Sequence, residues 1–273
     1  MNNLTLAESA ACLDFYSPNN DIVGIGSRVS TYILAIISVV ISQRAKGYLF
    51  VLTIAMTPLF VSIALNVVLI IDRSLGRISP KNMDTAYSVS YTAWTAATYA
   101  FASLFCRCDE MSNVEDRREF KIAAAAVWLP SFILTIIAGA MCEVFWNWRS
   151  SPLLHCGRTE VIGPTSWCPP ITWVIFGISV VACSSPLVSS YLERKPLAKK
   201  WSKWVRQADR FLIGSFLIMS VVVEEVALKA NVGVDIDYSE NAGNWGEGQL
   251  IAMIMLTAQF WEILKHAVRR QNK

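Results

Sequence analysis

Apolar residues gather into long uninterrupted runs at 29–43, 49–71, 122–142, 170–192, 211–229 and 248–264. Each run approaches the roughly 17–25 residues that an α-helix needs to cross a bilayer, so each predicts a membrane span. Between the second and third lies DTAYSVSYTAWTAATYAFASLF, at 84–105, which is more polar but carries no charged side chain after Asp84. A helix that meets lipid on one side and a polar interior on the other reads this way, which makes seven the expected number of spans. The predicted fold class is all-α, a polytopic transmembrane helical bundle. It divides into an extracellular segment at 1–28, a seven-helix domain at 29–264 and a cytoplasmic tail at 265–273.

Composition agrees with a membrane protein. The chain is 54% hydrophobic and 16% charged, against about 25% charged residues in a typical soluble domain. With seven spans, the linkers after the first, third and fifth, together with the tail, hold 17 of the 24 basic residues. Positive-inside placement then puts ERKPLAKKWSKWVRQADR (193–210) and the tail in the cytoplasm and the N-terminus outside, at the plasma membrane. One linker, DRSLGRISPKNMD, has three basic residues on the outer side. Folding it into a six-span alternative puts both termini on one side, which the other linkers oppose. The formal net charge of +3 is accounted for by topology, and no nucleic-acid partner is expected. Residues 1–20 lack the basic start and apolar core of a cleavable signal peptide.

Pro58, Pro130 and Pro186 fall inside apolar spans, where each removes a backbone donor; membrane helices tolerate this. Tyr48 and most of the tryptophans sit near span ends, as headgroup anchors do. Trp201 and Trp204 lie in KKWSKWVRQ, a basic segment suited to the anionic inner leaflet or to a cytoplasmic protein. Of the seven cysteines, Cys12, Cys142, Cys156 and Cys168 fall outside or at the outer boundary. The loop CGRTEVIGPTSWC makes Cys156 with Cys168 the first disulfide candidate, while four outer cysteines permit three complete pairings. Cys106 and Cys108, in CRC, lack the companions of a zinc site. His155 and His266 fall on opposite sides of the membrane. With no phosphate loop, nucleophile elbow or metal-hydrolase motif, neither catalytic residues nor a cofactor or metal is expected. NLT at Asn3 is a glycosylation acceptor consistent with an outer N-terminus.

The remaining candidates are ionisable and hydroxylic residues at membrane depth. Glu224 and Glu225 lie about 20 Å along the sixth span from its inner end, at 1.5 Å per residue. Glu225 has Lys229 at i+4, and Arg28 is within reach of either glutamate, which makes Glu225, Lys229 and Arg28 a candidate structural ion-pair group. Glu224 lacks the same-helix lysine and is the stronger ion-site candidate. Asp84, Ser88, Tyr91, Thr95 and Thr98 recur every three or four residues, as either the wall of a wet route or a helix-packing stripe. The outer side carries a net charge of minus six and the inner side plus nine. Asp235, Asp237, Glu240 and Glu247 thus form either an acidic outer entrance that concentrates cations or a solvated loop. Near the inner end of the seventh span, Gln259, Glu262 and His266 are a candidate polar contact.

Two segments carry a family resemblance. CLDFYSPNNDIVGIGSRVSTY, through Asp14, Phe15, Tyr16, Gly24, Gly26, Arg28 and Tyr32, and NWGEGQLIAMIMLTAQFWEI, through Trp245, Gly246, Gly248, Gln249 and Glu262, resemble segments of uncharacterised multi-span membrane proteins of filamentous fungi. The resemblance implies a fungal polytopic membrane protein and brings no substrate, cofactor or reaction. Two functional expectations stand. The first is a cation channel or passive transport pathway through Glu224 and the 88–98 stripe, with an acidic outer entrance, and it is the main expectation from the sequence. The other is a seven-span signalling receptor or membrane scaffold, with 193–210 meeting lipid or a partner. Membrane lipids are partners under either, an inorganic cation under the first, and the oligomeric state is left open.

Overall fold

A computed structural model describes residues 24–44, 48–75, 78, 80–107, 114–147, 168–193 and 202–229, and most of 253–265. Among the described residues the architecture is all-helical: α1 (Ile25–Arg44), α2 (Tyr48–Ser74), α3 (Pro80–Arg107), α4 (Val114–Asn147), α5 (Cys168–Glu193) and α6 (Ser202–Lys229), with further helical residues within 253–265. Each helix is longer than its apolar run because polar first and last turns continue the backbone pattern beyond the lipid. The largest difference at a single end is in α6, which begins at Ser202 rather than near 211. It therefore takes the end of the basic 193–210 linker into the helix. Pro80 opens α3, where a fixed φ and a missing N–H cost nothing, and Pro169 and Pro170 similarly occupy the first turn of α5.

Among the described residues, three stretches are long and apolar enough to cross a membrane: Ile25–Arg44, Phe50–Ser74 and Ala124–Cys142. They make the chain an all-helical membrane protein. Large apolar side chains such as Phe60, Ile71, Ile133, Val174, Phe211 and Ile218 are about half or more exposed on the outside of the bundle. Lipid is the solvent such a surface requires.

The most polar of the long helices is the central one. From Asn82 to Phe101 every residue of α3 is buried except Asp84 and Ser88, which are half-buried. A helix surrounded by other helices needs no lipid-facing apolar surface, which explains why α3 is the least hydrophobic in appearance. Ala86, Ala93, Ala96, Ala97 and Ala100 are fully buried on it, and such small side chains let neighbouring backbones come close.

Candidate functional site

Side-chain hydrogen bonds tie α3 to each of the other five described helices. Near the middle, Ser90 Oγ donates to Asn66 Oδ1 of α2 at 2.8 Å, and Ser62 Oγ lies 3.0 Å from Ser90 Oγ. Asn66 Nδ2 in turn donates to Thr135 Oγ1 of α4 at 3.0 Å, and Thr135 donates to Ser131 O at 2.8 Å. Ser62, Asn66, Ser90 and Thr135 are all fully buried, so this chain of donors and acceptors has no water to fall back on. The Tyr91 hydroxyl bonds to Ser179 Oγ of α5, whose own proton goes to Phe176 O at 2.7 Å. Trp128 Nε1 of α4 donates to Thr98 Oγ1 at 3.1 Å.

Aromatic rings fill the space beside these bonds. Trp94 is the centre, with ring centroids of Tyr91 at 5.9 Å, Phe132 at 5.8 Å, and Phe176 and Trp128 each at 6.4 Å. Its indole N–H is buried and makes no hydrogen bond.

Two polar junctions close the bundle at opposite ends, and both hold α6. At the end where α1 begins, Arg28 Nε lies 3.0 Å from Glu225 Oε1, and Tyr32 donates to the same oxygen at 3.4 Å. Arg28 enters the protein interior because it sits on the first turn of α1, facing the last turn of α6. At the other end four helices meet. Gln43 Nε2 of α1 donates to Tyr99 Oη of α3 at 3.0 Å, Tyr99 donates to Asp209 Oδ2 of α6 at 2.9 Å, and Ser185 Oγ of α5 bonds to Asp209 Oδ1. Late residues of α1, α3 and α5 thus meet an early residue of α6, so the first three run one way and α6 runs back.

The residues singled out in the sequence divide accordingly. Tyr91, Thr95 and Thr98 are all buried: Tyr91 and Thr98 bond to neighbouring helices, and Thr95 donates back to Tyr91 O at 2.9 Å. Ser88 is half-buried. Arg28 and Glu225 are together. The side chains of Glu224 and Lys229, and Asp235, Asp237, Glu240 and Glu247, lie outside the described residues, as do Cys156 and the Cys168 side chain. Among the described residues Cys106, Cys142 and Cys183 form no disulfide, and no group of three His, Cys, Asp or Glu side chains is placed to hold a metal.

Sequence reading missed Asp209, Gln43, Ser185 and Asn66. Asp209 was hidden in a basic linker, yet it precedes the buried Ile213 by four residues and Phe216 by seven, which is one face of a helix. Asn66 was hidden in the most apolar span, where a lone amide four residues after Ser62 is the available signal.

The end junction at Arg28 is open to a direct measurement. Arg28→Gln and Glu225→Gln, alone and together, are expected to show a coupling of about 1 kcal/mol in unfolding free energy. That is below the 3–5 kcal/mol lost on breaking a fully buried pair, because the Glu225 side chain is 37% exposed and its charge is screened. Additive effects would show that the two side chains do not act on one another.

No protein-family model, curated protein or solved structure matches this chain. The arrangement itself therefore supplies the class, a helical membrane bundle built around a buried polar helix.

Proposed function

We propose that this protein is a seven-span signalling receptor or membrane scaffold, with its N-terminus outside and its basic 193–210 linker and C-terminal tail in the cytoplasm. The observation that supports this reading over a cation pathway is the condition of α3. Tyr91, Thr95 and Thr98 of its hydroxyl stripe are buried among helices, and Tyr91 and Thr98 are engaged as bonds between them rather than lining a route for ions. Around that fixed axis, α6 is attached by polar junctions at its two ends. Bonds of this kind are worth about 0.6 kcal/mol each on average within a membrane, so they hold a helix in one position without making the position permanent.

The seventh span is the segment that includes 253–265. Gln259 Nε2 from it lies 3.4 Å from Ile54 O, the carbonyl that Pro58 leaves without its helical N–H donor. Under this topology the Asp209 junction is cytoplasmic, next to a linker whose lysines and tryptophans suit anionic lipid or an intracellular protein. The outer face would carry the Cys156–Cys168 disulfide and the Asn3 glycan, at the plasma membrane of a filamentous fungus.

A cation channel is the competing reading, and Asp84 and Ser88 favour it as the two half-buried positions on the outer part of α3. Reconstitution into liposomes separates the two. The expected result is no flux of Na⁺, K⁺ or Ca²⁺ above protein-free vesicles, with cross-linking in native membranes capturing a cytoplasmic protein through 193–210. Flux that Glu224→Gln abolishes, at matched levels of folded protein, would replace the receptor reading with the channel.

A further inference from the structure

Pro186 lies within α5 and has no N–H to give to Ala182 O, four residues earlier. The replacement donor is Ser185, whose Oγ is 2.6 Å from Ala182 O. The same Oγ also bonds to Asp209 Oδ1 of α6. A serine hydroxyl has one proton, so it serves one of these acceptors fully at a time. Asp209 has no cationic partner among the described residues, and its other described donor is Tyr99. On the far side, Cys106 Sγ of α3 lies 3.2 Å from Pro186 O, so the turn that contains the proline is gripped by α3 as well.

We propose that the Ser185 hydroxyl is a two-way donor whose choice between Ala182 O and Asp209 sets how firmly this end of α6 is held to α3 and α5. When Ser185 donates to Asp209, α6 is tied to two helices and the Ala182 carbonyl is left open at the proline. When it donates to Ala182 O, α5 closes its own gap and α6 is held through Tyr99 alone. The two arrangements differ by one interhelical hydrogen bond, which is the small energy gap that a conformational switch needs. The proposal deepens the receptor reading and rests on it, because it names the step by which a change in α5 reaches the cytoplasmic end of α6.

The test uses the full chain in nanodiscs, with spin labels on noncanonical residues at the exposed positions Arg118 of α4 and Gln207 of α6. A second pair at the opposite end, Val29 and Val222, serves as the control. Pro186→Ala restores the backbone donor to Ala182 O and frees Ser185 for Asp209, so it is expected to raise the attached population by about threefold. Ser185→Ala is expected to lower it by a similar factor, and the double variant to resemble Ser185→Ala. The control distance should not move. Equal shifts in the same direction for the two single variants, or no shift in either, would overturn the proposal.

Should Pro186→Ala fail to insert, Asp209→Ala decides. It commits Ser185 to Ala182 O, so it should detach α6 while increasing hydrogen-exchange protection in α5 around 182–190; lost protection there would refute the two-way donor. These distances are read without any ion gradient. A channel-like flux would therefore remove the receptor reading and leave the switch standing, whereas a failed switch without flux would leave the receptor reading in place.

Discussion

Trp94→Ala is expected to be the most damaging single substitution, at about 3–5 kcal/mol, the range for deleting a buried tryptophan side chain. Trp94 is 1% exposed and touches rings from α3, α4 and α5, so its removal leaves a cavity that three helices would have to move to fill. Trp94→Phe should cost much less. It keeps a ring in the stack and removes an N–H that has no acceptor among the described residues. Phe60→Ala supplies the comparison, because Phe60 is 54% exposed on the outer face of α2 and loses mainly contacts with lipid. Unfolding in mixed detergent should rank the three as Trp94→Ala far below Trp94→Phe and Phe60→Ala. Equal losses for Trp94→Ala and Phe60→Ala would contradict the placement of the aromatic cluster at the core.

Gly139→Ala comes next, at about 1–3 kcal/mol for forcing a methyl into a filled site. A Cβ at Gly139 would stand 2.5 Å from the Tyr87 hydroxyl oxygen and 3.0 Å from Cζ. Tyr87 is buried and stacked on Tyr91 at 5.9 Å, which limits how far its ring can retreat. Adding Tyr87→Phe removes the closer of the two contacts and should restore part of the lost stability, while the Cζ contact keeps the recovery incomplete. Gly177→Ala and Gly214→Ala give the opposite result, since nothing lies within 4 Å of either new Cβ. Both should be neutral or stabilising, by up to about 1 kcal/mol from helix propensity. A Gly139→Ala protein as stable as these two would show that α3 and α4 are not in close contact at this point.

Run length and polarity determined much of this protein without any coordinates. The positions of α1, α2, α4 and α5 follow from the apolar stretches, because no other backbone satisfies its own hydrogen bonds in lipid. The likeness of 84–105 to a helix inside a bundle was also legible, from the absence of charge and the number of small side chains. The proximity of Arg28 to Glu225 was legible as a possibility of depth alone.

Tertiary structure decided what each polar residue does. A helical repeat such as Ser88, Tyr91, Thr95 and Thr98 has the same spacing whether it lines water or packs on neighbours, and only the helices around α3 bury Tyr91, Thr95 and Thr98 while leaving Ser88 half-buried. The start of α6 at Ser202 was obscured because basic residues in a first turn read as a linker, so Asp209 gained its role only when Tyr99, itself held by Gln43, and Ser185 were brought to it from other helices. The same holds for the prolines. Pro58 and Pro186 each announce a missing N–H; Ser185 answers Pro186 from the same turn of α5, whereas Gln259, which answers Pro58, and Asp209, the second acceptor of Ser185, come within reach only through packing.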